Sequence, residues 1–367
     1  MRLKKSMGWR TRASATSSKM LVALIALTLF GTTLHAESTS AESTSKVEIR
    51  ELRGESLAHT LAGTNPVRKL AIYLPAGYDG ATKRYPVIYY LPSPEPFEAS
   101  FYQKDVRATV DRATQAGSIG PIILVSVDMA TPLGCSWYTN SPVTGNWDDF
   151  MIREVVPYID TNFRTRPSRD SRGISGDFMG GYGAIRYGMT HPEVFGSVYA
   201  MHPVGTGSGI YTMYSRPDWE WLAKVKSTDE LRDHPYAGIF LSIFQASVPN
   251  VNKPPFYIDL QAHKEGDDLV IDSEVTERLR DNFLLETMIG KYADNLKSLR
   301  GFRFDWARND GNHDHVYSNQ AFTHKLNEFG IRHEAEEYNG VWGSGKWEAD
   351  GRVETEVLPF FQRTLVF

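Results

Sequence analysis

Gly173-Ile-Ser-Gly-Asp-Phe-Met-Gly-Gly-Tyr-Gly-Ala184 is the stretch from which the rest of the chain is read. The residues up to Ser175 predict a short buried strand, Gly176 and Gly180 bracket a tight turn, and the small and apolar residues beyond predict a helix. This is the shape of G-x-S-x-G, in which the middle residue is forced onto a sharp strand-to-helix turn with its side chain clear of the sheet. Here the middle residue is Phe178. The glycines that make the turn sterically possible are present, but the hydroxyl is not, and a benzyl group cannot attack a carbonyl.

Outward from this turn, short and nearly continuous apolar runs at 69–74, 86–91, 121–128, 172–175, 197–201 and 302–306 have the character of strands buried on both faces. Helical patterns alternate with the later ones. The stretch 147–163 begins with two acids after Asn146 and carries Phe150, Met151, Val155 and Ile159 at helical spacing. The stretch 317–329 aligns Phe322, Leu326 and Phe329 and stops at Gly330. Strands alternating with helices predict an α/β architecture, a mostly parallel sheet covered on both faces, with ligands beyond the carboxyl ends of its strands. Residues 205–299 exceed a single crossover and predict an inserted cap over that end.

The chain has 367 residues, 41% hydrophobic and 23% charged, an ordinary globular balance, and its net charge of −4 lacks the concentrated basic face of a nucleic-acid binder. Residues 1–36 read as a cleaved export leader: basic residues from Arg2 to Lys19, then an apolar run shorter than the ~20 residues a membrane span needs. Export to the periplasm or the medium is the expectation, with no span left after cleavage. Two copies of Ala-Glu-Ser-Thr-Ser make 37–46 a polar tether, and 47–367 a single domain. Cys135 is the only cysteine, which leaves no partner for an intramolecular disulfide.

Several segments together resemble the esterase family of α/β-hydrolases that contains S-formylglutathione hydrolase, feruloyl esterases and mycolyltransferases. They are Val67-Arg-Lys-Leu-Ala-Ile-Tyr-Leu-Pro-Ala-Gly-Tyr78, Tyr85-Pro-Val-Ile-Tyr-Tyr-Leu91, Thr139-Asn-Ser-Pro-Val-Thr-Gly-Asn-Trp-Asp-Asp-Phe150, the turn at Phe178, His191-Pro-Glu-Val-Phe-Gly-Ser197, Lys291-Tyr-Ala-Asp-Asn-Leu296 and Val357-Leu-Pro-Phe-Phe361. The resemblance implies the α/β-hydrolase fold. It also implies acyl transfer by a serine, an orienting acid, a histidine base and an oxyanion hole.

The chain departs from that pattern where the chemistry lies. The serine position is Phe178. The strand Phe302-Arg-Phe-Asp-Trp-Ala-Arg-Asn-Asp310 matches the family's acid strand and implies Asp310 as the acid, with Asp314 second. The Tyr-x-Gly-x-His stretch is Tyr338-Asn-Gly-Val-Trp342, so the base position is Trp342, before an apparent insertion at 343–350, and no histidine follows His333. The family's Leu-His-Gly loop is Leu91-Pro92-Ser93, which loses a glycine and places a residue without an N–H. The N–H of Met179 remains as the second oxyanion donor.

Other reactive residues are candidates for the missing roles. Ser175 falls too early, inside the strand, and Ala116-Gly-Ser-Ile-Gly120 precedes a strand and so lies at the wrong edge. Cys135, His313 and His315 all follow strands at their carboxyl ends, which permits a Cys-His-Asp arrangement. A thiol with no stabilising cation beside solvated histidines is the plainer reading. His313-Asp-His315 gives too few ligands for a metal, and no metal or cofactor is expected. The aromatics Trp137, Tyr138, Trp147, Tyr211, Tyr214, Trp219, Trp221, Trp342 and Trp347 suit a lining for an aromatic or glycan-like ligand, or else core packing.

Taken together, the residues predict an exported esterase-like protein that has lost serine-hydrolase catalysis and acts by binding or scaffolding, with a small ester, an aromatic or glycan-like ligand, or a protein as its partner. The alternatives are a working ester hydrolase or acyltransferase with Cys135 as displaced nucleophile, and a purely structural partner protein.

Overall fold

The computed structural model describes residues 44–93, 105–207, 218–343 and 345–367. The expected leader and nearly all of the tether therefore lie outside the described residues, as do Tyr211 and Tyr214.

Eight strands form one sheet: β1 (Lys46–Arg53), β2 (Val67–Leu74), β3 (Val87–Leu91), β4 (Ile123–Val127), β5 (Arg172–Asp177), β6 (Ser197–Met201), β7 (Gly301–Ala307) and β8 (Glu334–Tyr338). Their spatial order is β1-β2-β4-β3-β5-β6-β7-β8. Only the β1–β2 and β2–β4 pairings are antiparallel, and the remainder is parallel. The inner parallel strands are largely apolar because both faces are covered, whereas β8 at the edge is not. Along β3, Val87, Tyr89 and Leu91 enter one core layer, and Ile88 and Tyr90 enter the other.

The first layer lies under α2 (Val156–Asn162), α3 (Met179–Thr190), α6 (Leu285–Lys297) and α7 (His313–Glu328). The second lies under α1 (Val106–Gln115) and α8 (Leu358–Thr364). The expected helix at 147–163 begins with a short turn at Trp147–Asp149, passes through a π-helical segment at Phe150–Val155 and continues as α2. The helix expected from 317 begins earlier, at His313, because the Asn312 side chain accepts from the Asp314 N–H and caps it.

The insertion after β6 has its own small core. Leu222, Leu241, Phe244, Val248, Phe256, Ile258 and Val275 gather between α4 (Pro235–Ser247) and α5 (Ser273–Phe283). Between these helices lies a hairpin of Ala262–Glu265 and Asp268–Ile271. The segment 205–299 also holds α6, which packs against α3 and leads into β7. No helix among the described residues is long and apolar enough to cross a membrane.

Candidate functional site

Parallel register brings the ends of five neighbouring strands to one edge. Leu91 pairs with Gly176, Met201 with both Asp177 and Asp305, and Ala307 with Tyr338. The residues that follow these strands therefore converge: Pro92, Phe178, His202, Asp310 and Trp342.

Phe178 joins β5 to α3 at φ 58° and ψ −107°. This is a conformation non-glycine residues avoid, and one that costs roughly 1–3 kcal/mol unless the surroundings impose it. The surroundings here do so. The Phe178 N–H donates to the Met201 carbonyl at 3.0 Å, and its own carbonyl accepts from the Tyr182 N–H at 3.0 Å. Gly176 and Gly180 let strand, helix and the Leu91 loop approach without side chains. A Cβ on Gly180 would lie 1.9 Å from the Leu91 oxygen, and one on Gly176 would lie 2.2 Å from the Gly180 oxygen. The chain thus retains the strained turn of a nucleophile elbow with a phenyl ring at its tip.

Trp342 lies directly against that ring, with centroids 4.4 Å apart and planes tilted by 35°. His315 meets the phenyl edge-on at 5.1 Å, and His202 lies parallel to it at 6.4 Å. Asp310 binds both histidines through one oxygen: His202 Nε2 at 2.7 Å and His315 Nδ1 at 2.8 Å. Its other oxygen accepts from the Asn312 N–H at 2.9 Å. Burial opposes the Asp310 charge, but the hydrogen bonds from His202, His315 and Asn312 outweigh it and hold the carboxyl well below the usual carboxylate range.

The outer ring nitrogens identify the protons. His202 Nδ1 accepts from the Ala307 backbone N–H at 2.9 Å, so its proton sits on Nε2 and points at Asp310. The Asn312 amide oxygen faces the Asp314 N–H as helix cap, which turns its NH2 group toward His315 Nε2 at 3.0 Å. Both rings thereby donate into one carboxylate. The ligand atoms of His202, Asp310 and His315 lie within 4.8 Å of one another, a spacing a metal ion could use. The donor set does not fit one: a metal on His202 Nε2 would need the proton moved to Nδ1, where it would meet the Ala307 N–H.

Other residues singled out from the sequence fall elsewhere. Cys135 is buried, accepts from the Trp137 N–H at 3.4 Å, and burial pushes its thiol up to about 12, so it is not an activated nucleophile. His313 is an exposed residue of the first turn of α7, packed on Tyr317, and does not join His315. The Cys-His-Asp arrangement is therefore not formed. Ser175 is buried within β5. Ser93 is buried, and the Pro92 carbonyl accepts from the Tyr138 hydroxyl at 3.4 Å. Trp137, Tyr138, Trp147 and Trp347 are core side chains rather than an exposed lining. His202 was missed, although its place directly after the apolar run 197–201 carried the same strand-end signal that pointed to Cys135 and His315.

The comparisons with known proteins bear on this geometry. The sequence profile of the family described as "Putative esterase" matches residues 62–333. The chain belongs to this esterase family. The match includes Phe178 and Asp310 and ends before Trp342. Esterase Rv1288 of Mycobacterium tuberculosis is 34% identical over 144 residues, 37% of this chain and 28% of that protein. An endo-1,4-beta-xylanase/feruloyl esterase of Xylanibacter ruminicola is 30% identical over 141 residues, 36% of this chain and 19% of that protein. The chain thus spans less than a third of the length of these relatives. Among solved structures, a ferulic acid esterase superposes with a TM-score of 0.61 at 20% identity, covering 88% of this chain and all of that one. An S-formylglutathione hydrolase from Agrobacterium tumefaciens gives 0.57 at 14% identity, with 89% and 99% covered. These likenesses establish the α/β-hydrolase fold of this esterase-family member.

Proposed function

We propose that this esterase-family protein no longer performs serine-type ester hydrolysis and works by binding at the old catalytic edge. One observation supports this most directly. Phe178 and Trp342 occupy the nucleophile and base positions in ring contact, and every ring nitrogen of the two nearby histidines is committed to Asp310, Ala307 or Asn312. Acyl transfer needs a lone pair on a base aimed at a nucleophile, and among the described residues no imidazole offers one to position 178. The ring pair favours a flat aromatic ligand that stacks. The ferulic acid named for one structural relative makes a phenolic acid the first compound to try. The same reading places the protein beyond the cytoplasmic membrane after removal of residues 1–36, which N-terminal sequencing of the exported product checks.

The test is to incubate the purified protein with short-chain aryl esters, a feruloyl ester and a fluorophosphonate probe. The expected result is no turnover above buffer and no labelling, with ferulate instead quenching tryptophan fluorescence in a saturable way. Hydrolysis abolished by Cys135→Ala would replace this reading with that of an active esterase.

A further inference from the structure

The connection after β8 carries two cations, Lys346 and Arg352, that reach into the sheet edge on either side of β6. Lys346 is buried, and its ammonium forms an ion pair with the buried Asp177 carboxylate, the residue immediately before Phe178. Arg352 binds Asp305 at 2.8 Å and Glu336 at 2.7 Å. Asp305 is further fixed by the Tyr199 hydroxyl at 2.7 Å. Between these two anchors Trp347 is sunk into the second core layer, edge-on to Tyr90 at 5.0 Å, and its carbonyl accepts from Thr109 Oγ1 at 2.5 Å. The part that reaches over Phe178 is the opposite of buried: Val341 is 51% exposed and Trp342 37%. Lys346 joins the two parts, since its Nζ also lies 5.0 Å over the Trp342 ring.

We propose that this connection is a latch: the Lys346–Asp177 and Arg352–Asp305 pairs hold the Trp342 indole down over position 178 and so control access to the elbow. Trp342 precedes both attachment points in the chain, and the nearer of them, Lys346, is the residue that pairs with Asp177 and also supports the indole, while Arg352 holds the stretch after Lys346 to β7. A carboxylate buried beside the elbow tip has no water to turn to when its partner leaves, which keeps the pair closed. The latch concerns access alone and stands whether or not the site hydrolyses esters.

A thiol reporter tests it. Phe178→Cys places a sulfur under the indole, and its reaction with an aromatic disulfide reagent is followed in three backgrounds; the native Cys135, buried and with a raised pKa, serves as the slow internal reference. With the connection intact, labelling is expected to be slow. Trp342→Ala, which uncovers the position, is expected to speed it by about tenfold or more, and Lys346→Met combined with Asp177→Asn, which neutralises both sides of the pair together, is expected to do the same. Faster labelling in the Trp342 variant without a change in the Lys346/Asp177 variant would overturn the latch, and no acceleration in either would overturn the covering role of Trp342.

Should the Lys346/Asp177 variant fail to fold, hydrogen exchange of the unaltered chain decides. The amides of Gly351, Arg352 and Val353, bonded to the carbonyls of Glu348, Gly345 and Lys346, are expected to be protected to the level of β5. Exchange at the rate of an open loop would overturn the proposal.

Discussion

At the scale of single residues, the strain at Phe178 and the charge on Asp310 are both held in place by their surroundings. The φ of 58° exists because the backbone around the turn is fixed by Met201, Tyr182 and the two close-packed glycines, and it persists although no hydroxyl profits from it. Replacing Phe178→Ser together with Trp342→His is expected to leave aryl-ester hydrolysis at background. A histidine at 342 would find Asp310 already held by His202 and His315, and the loop at Pro92 would still lack the glycine and donor of a working oxyanion hole. Robust turnover in that double variant would contradict the committed-nitrogen argument. Asp310→Asn removes a charge that accepts three hydrogen bonds, and denaturant titration at neutral pH is expected to show a loss of about 1.5–3 kcal/mol. Because the folded pKa of Asp310 is depressed, its contribution is present above the unfolded value of 3.8 and is lost as pH falls through the folded value. Parent and variant should therefore converge in strong acid, and a gap that stays constant would show that Asp310 acts by packing instead.

At the scale of elements, the elbow and the connection after β8 decide what the edge presents. Gly180→Ala would drive a methyl into the Leu91 carbonyl, a backbone atom that cannot step aside, so thermal denaturation is expected to show a loss of about 1–3 kcal/mol or more, against the gain usual for this change on an exposed helix. Arg352→Ala leaves Asp305 buried without its cation. Burial already pushes the Asp305 carboxyl up, with Arg352, Tyr199 and the His202 N–H opposing it, so removing Arg352 is expected to cost about 3–5 kcal/mol. A urea midpoint unchanged from the parent would show the pair to be dispensable. Legibility also differs between elements. The parallel strands announce themselves because burial on both faces demands apolar runs. β8 does not: Glu334-Ala-Glu-Glu-Tyr338 sits at the sheet edge and is neutralised by Arg303, Arg352 and Arg363, partners that no local pattern reveals.

At the scale of the molecule, the face that carries α3 is tied together by a titratable bridge. His191, at the end of α3, binds Asp148 at 2.9 Å and Glu193 at 2.9 Å. Burial works against its charge, but Asp148 and Glu193 outweigh burial, and its pKa is raised from 6.5. A raised folded pKa contributes stability that is fully present below 6.5 and is lost as pH rises through the folded value. The destabilisation from His191→Gln is therefore expected to be larger at about pH 5.5 than at about pH 8.5 when both proteins are unfolded in urea. Equal costs at the two pH values would mean that the bridge is not charged.

The sequence by itself determined the architecture and the phenylalanine at the strand-to-helix turn, because strand burial, glycine spacing and the identity of residue 178 are local properties that a single pass along the chain can read. It could also place Asp310 and Trp342 by analogy with a family pattern. Only the folded chain decided what surrounds Phe178. The contact of Phe178 with Trp342, the bond of His202 to Asp310 and the pairing of Lys346 with Asp177 join residues more than a hundred positions apart, and their chemistry depends on which nitrogen faces which donor. Parallel register across β3, β5, β6, β7 and β8 sets those distances, and register is a property of the assembled sheet rather than of any one of its strands.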